Sequence, residues 1–190
     1  MTREQWLNQL LDALRPIFQG ADAEVPEHVR VSCGWPSKAA TARKNRRIGE
    51  CWDKEQSSDE HYEIFVSPIL SDSLAVADTL VHELVHACVG TKCGHRAPFR
   101  RLALAVGLEG EMRSSSAGED LLLVLKELIK QLGPYPHGEI SFPEKEKKQS
   151  TRLLKVECPD CGYTVRTTRK WLEVGLPTCC CGSAMLYQET

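Results

Sequence analysis

The pentapeptide His82-Glu83-Leu84-Val85-His86 constrains this chain more than any other feature. It sits in an apolar stripe of Leu74, Ala77, Leu80, Val81, Leu84, Val85 and Cys88, the spacing of a helix packed on a core. Ser71 or Asp72 can cap the start of that helix, and Gly90 stops it. Residues four apart on a helix share a face, one turn above each other. Both imidazoles can therefore reach one ion at about 2.0–2.1 Å. Glu83 is turned about 100° from His82, outside the ligand set and toward a water held at the ion. The spacing predicts a zinc site with a general base, Glu83, beside it.

A catalytic zinc takes three protein ligands and keeps a fourth position open. His95 is the expected third ligand, because Gly90 and Gly94 let the chain turn back toward the helix. Cys93 is a rival ligand, whereas Cys88 reads as a buried thiol. Glu109 and Glu111 offer only the weaker arrangement of two histidines and a glutamate. The spacing departs from HExxHxxGxxH, which argues against a metzincin.

Cysteine usage points to a second metal. Of nine cysteines, five lie from Cys158 to Cys181, and an odd total rules out a complete disulfide framework. Cys158-Pro-Asp-Cys161-Gly162 is one half of a zinc knuckle. Cys179-Cys180-Cys181-Gly182 supplies the other, with Cys179 and Cys181 preferred because alternate residues point the same way more readily than neighbours. Cys180 is the rival for Cys179. Four thiolates would close such a site, making it structural.

Helices are expected over about Arg3–Ile17, from Leu74 to Gly90, over Ala97–Val106 and over Glu119–Leu132. Val29–Ser32, Arg47–Trp52 and Tyr62–Val66 read as strands of a small sheet pairing with sequence neighbours, and Tyr163–Thr168 as a strand between the knuckles. The expected organisation is a domain over residues 1–135, a Pro- and charge-rich linker over 136–152 and a zinc-ribbon module over 153–190. No run is apolar enough to span a bilayer, and the N-terminus reads as an amphipathic helix, not a signal peptide, so a cytoplasmic protein without a membrane partner is expected.

With DTLVHELVHACVG, GHRAPFRRLALAVGL, the GECW and IFVSP segments and the C-terminal ribbon, the chain resembles the SprT-like zinc metalloproteases from about Val29 onward. The resemblance implies an α+β, zincin-like protease domain with a short sheet beside the active-site helix. It implies zinc on His82, His86 and His95, with Glu83 as base. Arg96 departs from the family pattern, standing where a small residue often follows the third ligand. The expected function is zinc-dependent endopeptidase activity on a protein or peptide substrate that adds as a strand to the sheet edge. The expected cofactors are one catalytic and one structural Zn(2+). Some family members cut proteins crosslinked to DNA, which makes DNA-associated proteins candidate substrates.

A net charge of −2 gives no overall reason to expect nucleic acid, but local charge does. Arg166, Arg169 and Lys170 stand near Trp171, with Arg152 and Lys155 ahead of the first knuckle. Two readings stay open there: phosphate contacts with Trp171 stacking on a base, or a solvated face with Trp171 in the small core. Lys38, Arg43, Lys44, Arg46 and Arg47 form a second basic patch. His28, His61 and His137 read as ordinary surface residues, and nothing selects Tyr62 or Tyr135 as an oxyanion stabiliser. The rival from another class is a zinc-stabilised nucleic-acid-binding or transcription-associated protein with a vestigial protease site. An intact Glu83 argues against it, because zinc binding alone does not need that carboxylate.

Overall fold

Helix α1 (Arg3–Gly20) begins at Thr2, whose hydroxyl accepts from Gln5 N (3.2 Å) while Gln5 Oε1 accepts from Thr2 N (2.8 Å). Its apolar stripe, Trp6, Leu7, Leu10, Leu11, Leu14 and Phe18, is wholly buried. The structure is a computed structural model that describes residues 1–142 and 153–187. The chain divides into two units, Met1–Phe142 and Pro143–Thr190. The fold class is α+β, as expected: a three-stranded mixed sheet with helices in the first unit and a small antiparallel sheet around four cysteines in the second.

Strands β1 (Val29–Cys33), β2 (Gly49–Trp52) and β3 (Tyr62–Val66) form the first sheet in the order β1-β3-β2. β3 runs parallel to β1, with Val31 opposite Ile64, and antiparallel to β2, with Cys51 opposite Ile64. Pairing of β1 with its sequence neighbour β2 is therefore corrected. The connection over residues 34–48 is long enough to carry the chain past the position that β3 fills, and a parallel pair needs such a crossover. β2 is left as an edge strand.

Helix α2 (Ser73–Val89) is capped by Asp72, whose Oδ1 accepts from Ala75 N at 2.8 Å. Val76, Ala77, Leu80, Val81, Leu84, Val85 and Ala87 are all buried, so α2 is the central helix of the core, apolar around most of its circumference. Helix α3 (Ala97–Ala105) follows, then the two-residue strands β4 (Leu108–Glu109) and β5 (Ser116–Ala117), then helix α4 (Glu119–Leu132). Trp6 Nε1 donates to Gly133 O (2.9 Å), joining the start of α1 to the end of α4. The expected linker over 136–152 begins among residues that bond to this unit: His137 Nε2 lies 2.9 Å from Pro68 O, and Ile140 N donates to the same oxygen at 2.8 Å. Residues 143–152, including Arg152, lie outside the described residues.

The second unit holds β6 (Leu154–Glu157), β7 (Thr164–Thr167) and β8 (Leu186–Tyr187) in the order β7-β6-β8, with the short helix α5 (Arg169–Val174). Among the described residues its core is small: Val156, Cys158, Cys179 and Met185, with Val165 and Leu172 packed against them. Among the described residues no helix is long and apolar enough to cross a membrane.

Candidate metal centres

The first site is built on α2 and closed by the turn that follows it. Gly90 (φ +83°, ψ 137°) ends the helix and Gly94 (φ +52°, ψ −134°) ends a short 3-10 turn, Thr91–Cys93. Both conformations are open to glycine and strained for other residues. Together they return His95 to the helix face. His95 Nε2 lies 3.1 Å from His82 Nε2 and 3.2 Å from His86 Nε2. Three nitrogens held by one tetrahedral ion at about 2.0–2.1 Å would lie about 3.3–3.4 Å apart, so the donor set fits zinc. Three converging lone pairs repel each other without a cation or shared proton between them.

Neighbouring elements pack against the rings and hydrogen-bond to them. Phe99 of α3 is fully buried, with its ring centroid 4.9, 4.4 and 4.8 Å from those of His82, His86 and His95. Ser115 Oγ lies 3.0 Å from His82 Nδ1. With Nδ1 protonated, His82 donates to that oxygen and turns the lone pair of Nε2 into the cluster. Asp78 Oδ1 accepts from Ala117 N (2.7 Å), tying β5, and with it Ser115, to α2. His86 Nδ1 is buried and has no hydrogen-bond partner among the described residues.

Burial lowers the pKa of His82 to about 4, helped by His95, and that of His86 to about 3, helped by its two neighbours and Arg47. His95 is shifted down by burial, then by Arg113 and Arg47. The imidazoles of His82 and His86 are thus neutral at pH 7 and available as ligands. Glu83 is 7% exposed. Burial pushes its carboxyl up to about 8, against the pull of Arg47 and a backbone hydrogen bond from Cys51. A divalent cation beside it would favour the carboxylate.

The rivals stand apart. The grouped donors of this site are His82, His86 and His95, without Cys88, Cys93, Glu109 or Glu111. Cys88 is pushed up to about 12 by burial, and Cys93 Sγ donates to Gly94 O at 3.3 Å. Tyr135 packs on Trp6, with ring centroids 5.0 Å apart. Tyr62 lies on β3, its pKa raised by burial. His28 packs against His61 with ring centroids 5.2 Å apart and tilted, and His137 Nδ1 lies 3.3 Å from Arg3 Nη1.

The second site gathers the sulfurs of Cys158, Cys161, Cys179 and Cys181 within 4.8 Å of one another. Cys158 faces Cys181 at 3.5 Å and Cys161 faces Cys179 at 3.4 Å. Cys180 lies outside this group, with its sulfur 3.9 Å from that of Cys179. The two knuckles are built alike. Gly162 N donates to Cys158 O (3.0 Å) and Gly182 N to Cys179 O (2.9 Å). Hydrogen bonds from Ser183 lower the Cys181 thiol, while the neighbouring thiols raise Cys161. Four thiolates fit a closed tetrahedral zinc site.

Trp171 is 58% exposed, with Lys170 Nζ 5.3 Å from its ring centroid, and Leu172 takes the core position instead. Arg166, Trp171, Val174, Leu176 and Pro177 line an open groove of about 480 Å³.

Ser115, Phe99, Arg113 and Gly49 gained no role from the sequence. Gly49 left a readable signal, since a glycine inside a strand pattern marks a close backbone approach. No family model matches the chain, and neither a curated protein nor a solved structure matches it.

Proposed function

We propose that the chain is a zinc-dependent endopeptidase of the SprT-like type, with Glu83 as general base. The observation that carries this reading is the convergence of His82, His86 and His95 Nε2 beside a buried carboxylate on the same helix. His82, His86 and His95 would hold zinc, which supplies Lewis acidity toward the scissile carbonyl and makes water at the site easier to deprotonate. Glu83 accepts the proton of the attacking water and passes it to the leaving nitrogen. Burial of Glu83 keeps bulk water from competing for that proton. Ser115 holds His82 in one tautomer, and Phe99 fixes the three rings. The free edge of β2, beside Glu83, is where a substrate strand would pair, presenting its backbone to the site.

Cys158, Cys161, Cys179 and Cys181 would hold a structural zinc that stabilises the ribbon. The exposed Trp171, with Lys170 and Arg166 nearby, supports a nucleic-acid contact there, and so supports substrates that are DNA-associated proteins. The test is cleavage of an unfolded protein substrate by zinc-loaded wild type and Glu83→Gln, with and without single-stranded DNA. Loss of roughly a thousandfold in Glu83→Gln with zinc retained supports the reading. Equal cleavage by both proteins overturns it.

A further inference from the structure

Three arginines adjoin, along the chain, residues that belong to the histidine cluster or touch it or Glu83. Arg96 follows His95 directly, is the N-cap residue of α3 and is exposed. Arg113 belongs to the 3-10 turn Met112–Ser114, which leads straight into Ser115 and its contact with His82. Arg47 lies two residues before Gly49, whose strand abuts Glu83. Two of the three charges act at the site: Arg47 on Glu83, His86 and His95, and Arg113 on His95.

Of the nearby carboxylates, Glu50, Asp53 and Glu55 are committed, while Glu111, two residues before Arg113, is exposed and makes no ion pair among the described residues. Glu50 accepts from Ser37 N (2.7 Å), Ser37 Oγ (2.8 Å) and Trp52 Nε1 (3.0 Å), and pairs with Arg47. Asp53 accepts from Thr91 Oγ1 at 3.3 Å, and Glu55 pairs with Lys92 at 2.7 Å. Arg96 and Arg113 have no ion pair among the described residues. Next to the site in the chain stand two exposed guanidinium groups without an ion pair among the described residues, Arg96 and Arg113, with Arg47 held just before β2 by Glu50.

We propose that Arg96 and Arg113, with Arg47 at the start of the edge strand, select a substrate carrying a carboxylate close to the scissile amide. The inference rests on the endopeptidase reading above and deepens it. A guanidinium binds a carboxylate through two parallel hydrogen bonds, which fixes orientation as well as charge. The carboxylate can come from an aspartate or glutamate side chain or from the C-terminus of the substrate. The chemistry is the same, and the test separates the two.

The test uses the full zinc-loaded chain and one peptide sequence in which Glu, Gln or Lys is stepped through each position. Each peptide has a free or an amidated C-terminus, and products are read by mass spectrometry. Wild type is expected to favour Glu over Gln by roughly tenfold in kcat/KM at one or two positions flanking the cut, the worth of one charge-assisted hydrogen bond. A preference that follows the free C-terminus identifies the terminal carboxylate as the source. In Arg96→Gln/Arg113→Gln the Glu-to-Gln ratio should fall toward one. Arg113→Glu should shift the preference toward Lys, a gain that misfolding cannot mimic. Cleavage with equal rates for Glu, Gln and Lys, or a ratio unchanged in the variants, overturns the proposal and leaves the endopeptidase reading standing. No cleavage of any peptide removes both.

Discussion

Gly49 of β2 lies flat against Glu83 of α2. A Cβ at position 49 would stand 2.5 Å from Glu83 Oε1 and 2.6 Å from Thr79 Cγ2, closer than side-chain atoms can approach. Strand and helix meet there at a separation that only glycine allows, and the same contact keeps the Glu83 carboxylate out of water.

Gly49→Ala should therefore disturb the base without touching a ligand. Displacing the carboxylate by about 1 Å is expected to lower turnover roughly a hundredfold. Zinc content should stay at the wild-type level, so parallel assays of kcat and bound metal check the prediction.

Ser115→Ala removes the partner of His82 Nδ1 and leaves the ring free to turn. Losing such an outer partner typically weakens metal binding about 10- to 100-fold. Competition with a zinc chelator of known affinity should show that loss at the histidine site, with the cysteine site unchanged.

In metal-free protein, Glu83 makes stability fall as pH rises. Its folded pKa of about 8 lies above the ordinary carboxylate value, so the folded state binds the extra proton between the two. The cost of ionising a buried carboxyl grows from about pH 4.5 and levels off above about 8. Urea midpoints of metal-free wild type should therefore drop relative to Glu83→Gln across that window. Parallel pH profiles would contradict the burial account.

The second unit is expected to need a metal on its four cysteines to fold. Among the described residues its buried core consists of Val156, Cys158, Cys179 and Met185, little apolar surface to order such a unit alone. Cys158→Ser should collapse the NMR dispersion of residues 153–187 while leaving resonances of the α1 and α2 core in place.

How much of this was legible in the sequence follows from the range of the interactions involved. The shared face of His82 and His86 is a property of four-residue spacing, and the turn that returns His95 is written in Gly90 and Gly94. The paired knuckles are equally local, each closed by its own glycine. The partner of β1 was not legible, because pairing with β3 depends on where the chain goes after residue 48. Ser115 was hidden for the same reason: a serine in a run of three gains a role only when β5 is held to α2 through Asp78 and Ala117 N. Trp171 and Leu172 share the short helix α5, and packing alone puts Leu172 inside and Trp171 outside.

The proposed function requires two separate metal sites, one of them the histidine cluster beside Glu83. Elemental analysis of purified wild type and of His82→Ala/His86→Ala tests it most directly. Two zinc ions per chain are expected in wild type, matching the two donor groups, and one in the double variant. A single zinc in both proteins would leave only the cysteine site and overturn the protease reading.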